Sequence, residues 1–140
     1  MYDTVLLAVD ESDLSARATT AAGDLARLSG GRVHVVHVRE HQVVVAKGGG
    51  TFEIEDAGEA EALAARSVAR LTELGVAADT EVVRAAVGHV AEEVVAAAGR
   101  VGADVIVLGS HGRAGVKALV LGSTAYKVIH LADRPVLVVR

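Results

Sequence analysis

The sequence predicts an α/β fold: a single domain built on an open, five-stranded parallel sheet with helices on both faces. Three observations carry this expectation. Five short apolar runs alternate with stretches whose apolar residues recur at helical spacing. The runs are apolar at nearly every position, as strands covered on both faces are. The composition is 51% apolar, mostly Ala, Val and Leu, with Tyr2, Phe52 and Tyr126 the only aromatics, which suits thin helix-on-sheet layers. At 140 residues the chain is long enough for one domain with a real core.

Thr4 to Val9 is the first run, and it ends at Asp10. Ser12 can cap the helix that follows, on which Leu14, Ala18, Ala21, Leu25 and Leu28 mark one face. Gly30-Gly31 stops that helix, and Val33 to Val38 reads as the second strand. Ala60, Leu63, Ala64, Val68 and Leu71 form a second helical stripe, ended by Gly75, and Val82 to Ala85 lies in the third strand. Val90, Ala91, Val94, Val95 and Ala98 give a third helix closed near Gly99 or Gly102. Val105 to Leu108 is the fourth strand, a fourth helix runs from near Gly122 to Ala132, and Pro135 to Val139 is the last strand, with proline at its entrance. Residues 40–56, with Gly48-Gly49-Gly50 and the acidic Glu53, Glu55 and Asp56, fit no element and are expected to form a flexible loop.

Right-handed crossovers cover both faces only if the strand order reverses once, and ligands bind at that reversal, beyond the carboxyl ends of the strands. Asp10 and the loop from Gly109 both sit at such ends, so the first and fourth strands are expected side by side. That loop carries the strongest motif, Gly109-x2-Gly112-x9-Gly122-Ser123. Gly109 and Gly112 let the backbone approach a ribose or phosphate. Gly122, Ser123 and Thr124 open a helix with free N–H groups, two hydroxyls and the positive end of the dipole. Charge follows the motif: residues 1–104 hold nine Lys/Arg against seventeen Asp/Glu, and residues 105–140 hold five against one. Asp10 either contacts the ligand or caps the next helix. His111 and Arg113 either pair with phosphate or stay exposed and uninvolved.

Several classes are excluded. The net charge of −4 and the scarcity of aromatics argue against nucleic acid. No run approaches a membrane span and no leader pattern opens the chain, so a soluble cytoplasmic protein is expected. The chain has no cysteine for disulfides or thiolate metal sites. His34 and His37 point to opposite faces of one strand and cannot share a metal; His37 reads as a packed histidine. Neither GxxxxGK[ST] nor a GxGxxG after the first strand is present. No catalytic apparatus is evident, so binding is expected, with at most slow hydrolysis or autophosphorylation.

The segments TVLLAVDES, VHVVHV, ADVIVLGSHGRAG, LGST and RPVLVVR together make the chain resemble the universal stress protein family over its whole length. The glycine motif matches the G-x2-G-x9-G-[ST] pattern of ATP-binding members without a gap. The resemblance implies a Rossmann-like sheet of order 3-2-1-4-5, with ATP held between the ends of the first and fourth strands. It implies that Asp10, by its carboxylate, and Val38, by its main chain, meet adenine, with Ala8 and Val9 lining the pocket. Gly109 would meet ribose, and Gly112, Gly122, Ser123 and Thr124 the phosphates, through which magnesium would enter. Position 8 is Ala where some ATP-binding relatives carry proline. Pro135 to Val139 would be an uncovered apolar edge, which two copies meeting about a twofold axis would cover; the resemblance independently implies that homodimer. The expected function is that of an ATP-binding regulatory protein in the stress response, acting on an unidentified protein partner. The alternatives are a nucleotide-independent dimeric interaction protein and a nucleotidyl-transfer enzyme, whose His-x-Gly-His loop after the first strand is absent.

Overall fold

In the computed structural model of the chain, residues 1–43, 48–111 and 121–140 are described. The elements are β1 (Thr4–Val9), α1 (Leu14–Ser29), β2 (Arg32–Val43), β3 (Thr51–Glu53), α2 (Ala57–Glu73), β4 (Ala78–Ala86), α3 (Val90–Val101), β5 (Val105–Gly109), α4 (Ser123–Leu131) and β6 (Val136–Val139). The five long strands lie parallel in the order β4-β2-β1-β5-β6. For these five strands this is the order that the family resemblance implies, and the adjacency of β1 and β5 is the one expected from the strand ends.

The chain moves outward from β1 through β2 to β4, returns to β5 on the other side of β1, and continues outward to β6. Right-handed crossovers in opposite directions put their helices on opposite faces. One core accordingly joins Val5, Leu7, Val33 and Val35 to α1 and α2 through Ala18, Ala22 and Leu71. The other joins Leu6, Val36, Ile106 and Leu108 to α3 and α4 through Val94, Ala98 and Val128. The face of α1 is rotated from the expected one. Leu28 is 87% exposed, and the buried line is Leu14, Ala18, Ala22 and Ala26, whose alanines let the helix lie close to the sheet.

The segment 40–56 corrects the sequence reading. β2 continues to Val43, and β3 pairs antiparallel with His41, Gln42 and Val43. β1 pairs with β2 only as far as His37, and β4 occupies the other edge of β2 up to His41. β3 therefore sits beyond the end of β1, making a six-stranded mixed sheet. Its three residues are all exposed, so no apolar pattern marks it. Asp56 ends the connection by accepting from Gly58 and Glu59 N–H as the N-cap of α2.

Arg134 fastens the far end of the molecule. Its Nη1 donates to the carbonyls of Ala98 and Ala103, at 2.9 and 2.7 Å, below the C-terminus of α3. Its hydrogen bond and charge hold the exposed Asp133 carboxyl below the ordinary value. Part of the positive charge of residues 105–140 is thus structural.

β5 ends against the start of α1. A Cβ on Gly109 would lie 2.9 Å from Leu14 Cβ, so glycine is needed here for packing between two elements. Gly109→Ala is expected to cost about 1–3 kcal/mol, read as a lower urea midpoint at unchanged slope. A midpoint equal to that of the parent chain would show that α1 yields freely.

Candidate functional site at the carboxyl ends of β1, β2 and β5

A cavity of about 120 Å³ lies beyond the strand ends, between Ser15 and Glu55 on one side and the starts of α3 and α4 on the other. Its walls include Ala8, Val9 and Asp10 from β1 and the turn after it, Val38 from β2, Gly109 from β5 and Thr124 from α4. A second cavity, of about 250 Å³, shares Glu40, Val90 and Thr124 with the first and adds Ser123 and Lys127. The two adjoin along the first turn of α4.

Asp10 organises the turn into α1 and lines the cavity. Its Oδ1 accepts from Ser12 N–H at 2.8 Å and from Ser15 Oγ at 3.0 Å, and its own N–H donates to Ser15 Oγ at 2.7 Å. These bonds organise the turn into α1, taking the place of the Ser12 cap expected there; the N-cap position is Asp13, without a side-chain bond. They also hold the carboxylate still at the cavity wall, and Oδ2 carries no hydrogen bond among the described residues. Val38 lies in the part of β2 that neither β1 nor β3 pairs, since β1 stops at His37 and β3 begins at His41. Its main chain therefore passes the cavity where one strand edge is open.

The glycine motif is placed in part. Gly109 lines the cavity, while Gly112 and Arg113 lie outside the described residues. His111 is half-buried, with Nδ1 3.4 Å from Ser110 Oγ, and is not among the residues forming the walls. Gly122 differs from expectation. Its N–H is not free but donates to Ser110 O at 2.6 Å, pinning the start of α4 to the end of β5. The amides that point outward are those of Ser123, Thr124 and Ala125. The N-cap supplies no side-chain bond, and none of the three has a partner among the described residues. Lys127, one turn on, donates to Gly88 O at 3.0 Å and lines the second cavity.

One pair of wall residues was not anticipated. His37 places Nδ1 2.7 Å from Val9 O and Nε2 2.8 Å from both oxygens of Glu55, with both side chains 4% exposed. His37 is packed, as its place in the strand implied, but its partner comes from the connection between β3 and α2. The signal that could have found Glu55 is the capping pattern Asp56-x-x-Glu59 just after it, which fixes a helix start at Ala57 and so brings Glu55 to the strand ends. His34, on the other face, lies between Asp79 and Glu81 and is not among the residues forming the walls.

The site is polar in a directional sense. One end is lined by Asp10, Glu11 and Glu55, whose carboxylates accept hydrogen bonds from amino and hydroxyl groups, and Glu40 stands where the two cavities meet. The other end presents a helix N-terminus with open amides beside Lys127, which favours an anion. A molecule with hydrogen-bond donors on its head and negative charge on its tail fits this arrangement.

Known proteins resemble this chain over its whole length. The family model described as "Universal stress protein family" matches residues 1–140. The universal stress protein YxiE of Bacillus subtilis is 34% identical, and the match covers 100% of both chains. Among solved structures, a universal stress protein from Archaeoglobus fulgidus superposes with a TM-score of 0.78 at 27% identity over 100% of each chain. The same family from that organism, in complex with dAMP, gives 0.75 at 26% identity, covering 99% of this chain and 98% of that one. Sequence, strand order and site position converge on one conclusion: the chain belongs to the universal stress protein family.

Proposed function

We propose that this protein binds ATP between the carboxyl ends of β1 and β5 and acts as a nucleotide-dependent regulator in the stress response, through a protein partner that recognises the loaded form. The observation that carries the reading is the row of open amides at Ser123, Thr124 and Ala125, facing the cavity whose other end holds Asp10. The solved relative in complex with dAMP supports an adenine nucleotide as the ligand class.

In this reading the adenine amino group donates to the open oxygen of Asp10, and the main chain of Val38 meets the ring edge, with Ala8 and Val9 as apolar walls. Gly109 passes beside the ribose. The amides and hydroxyls of Ser123 and Thr124 hold phosphate oxygens, with Gly112 assigned there by the motif and His111 and Arg113 as charge-bearing neighbours from the same loop. Gly122 acts by position, as the fixed N-cap. Magnesium, when bound, screens the charge between the phosphates and takes its ligands mainly from their oxygens, with a Ser123 or Thr124 hydroxyl within the chemistry of the site. The protein's own contribution is to orient and to desolvate, and binding rather than turnover is the activity assigned.

The same reading includes a homodimer. Among the described residues β6 pairs with β5 alone, which leaves its outer edge open there. Leu137 on this strand is 40% exposed, and an apolar open edge is covered when a second copy pairs along it.

Two substitutions test these assignments. Ser123 is the first residue of α4, where proline is tolerated, and the ψ of 155° at Gly122 is the extended value that a following proline requires. Ser123→Pro removes one amide donor and keeps the helix. It is expected to weaken ATP binding in calorimetry by roughly ten- to hundredfold, with the thermal midpoint of the free protein little changed. Unaltered affinity would remove α4 from the site. Leu137→Lys places a charge on the open edge without entering the core, and sedimentation should then show a monomer where the parent chain sediments as a dimer. A dimer that persists would move the interface elsewhere.

A further inference from the structure

On the face of the sheet covered by α1 and α2, a groove of about 630 Å³ runs between the two helices. The turn after β1 divides it from the nucleotide cavity, and Asp10, Glu11 and Ser15 line both hollows. Three arginines border the groove: Arg17 on α1, and Arg66 and Arg70 on α2. Arg66 and Arg70 stand one turn apart, where like charges oppose the helix. Arg70 meets Glu73 at 3.4 Å with both side chains more than half exposed, a contact of little strength. Arg17 and Arg66 carry no hydrogen bond or ion pair among the described residues. Three cations are thus gathered around one hollow with little to balance them along the helices, while the acids of the groove, Asp10, Glu11 and Asp13, all stand at its β1 end.

The groove wall selects among anions. Thr19 and Ser67 donate their hydroxyl protons to Ser15 O and Leu63 O of their own helices, at 2.7 and 3.3 Å, and Thr20 donates to Ala16 O at 3.2 Å. With those protons committed, the three oxygens offer lone pairs alone. A phosphate finds no donor in them, whereas the N–H groups of a peptide find acceptors. The arginine forks match carboxylates, each in two parallel bonds. From Leu63 to Arg70 the α2 wall runs about 10 Å, the span of roughly three residues of extended chain. We propose that this groove docks a short acidic segment of a partner protein, with its carboxylates on Arg17, Arg66 and Arg70 and its main chain along Thr19, Thr20 and Ser67. Asp10, Glu11 and Asp13 repel carboxylates from the β1 end and so fix which way the segment lies. That docking responds to nucleotide occupancy rests on the ATP reading. The turn that holds Asp10 through Ser12 and Ser15 ends both hollows, so adenine bound at Asp10 orders one end of the groove before the segment arrives.

A capped tetraglutamate peptide titrated into the full chain at about 50 mM salt, followed by amide resonances, supplies the probe. Saturable shifts are expected at Thr19, Thr20, Arg66 and Ser67, weakening as salt is raised. Arg66→Gln/Arg70→Gln should lower peptide affinity at least about fivefold. The same variant should keep its ATP affinity and its thermal midpoint, since a like-charge pair is removed. Arg27→Gln/Arg100→Gln makes the same change in net charge at exposed positions outside the groove and should bind the peptide as the parent does. Saturating ATP with magnesium should raise peptide affinity about threefold, and the peptide should raise ATP affinity by the same factor. Equal binding by the groove variant and the parent, or equal loss in both double variants, overturns the docking site. A pentathymidylate of equal charge, or inorganic phosphate, that binds the groove as tightly as the peptide overturns the assignment to a peptide. Peptide affinity that ignores ATP in a protein that binds ATP overturns the link to occupancy. Peptide docking in a protein that binds no ATP leaves the groove standing and removes the nucleotide reading.

Discussion

The constraint on which the rest of the molecule depends is the reversal of strand order at β1. A right-handed connection can cover only one face while the chain advances in one direction. Covering both faces obliges the chain to return past its first strand, from β4 to β5. The turns after β1 and β5 then leave the sheet toward opposite faces, and a crevice opens between them. Asp10 follows β1 and α4 begins beyond β5, so the same topology that buries Leu6, Leu7 and Ile106 completely brings a carboxylate and a helix N-terminus to one hollow. No long-range pairing of those residues is needed to account for the site's location.

Local chemistry then gives the hollow its direction. Asp10 is held by Ser12 and Ser15 with one oxygen left outward. Gly122, bonded to Ser110, fixes where α4 starts and leaves the next three amides open. Such amides are costly to bury without partners, and a helix end aimed at a cavity is stable because an anion or solvent can meet it. Acidic groups dominate the opposite end. The hollow is therefore graded in polarity along its length.

Much of this was legible in the sequence because buried parallel strands are apolar at nearly every position, as Val5 to Val9 and Val105 to Leu108 are. The same rule hid β3: Thr51-Phe52-Glu53 is exposed throughout and pairs with the polar end of β2. Residues whose role is local were also readable. Asp10 at a strand end and Ser123 at a helix start announce themselves by their neighbours in the chain. Roles that depend on another element were not. Gly109 is glycine because Leu14 of α1 lies against it. The Gly122 amide is taken by Ser110, and His37 is matched by a glutamate from beyond the β2–β3 hairpin. Periodicity reports which face is buried, and says little about what meets it there.

The central claim is that one ligand bridges Asp10 and the first turn of α4, and amide chemical shifts during an ATP titration test it most directly. The account predicts saturable shifts at Asp10, Val38, Ser123, Thr124 and Ala125, with little change along the α1–α2 face. Shifts confined to that other face, or none at the α4 amides at saturating ATP, would contradict it.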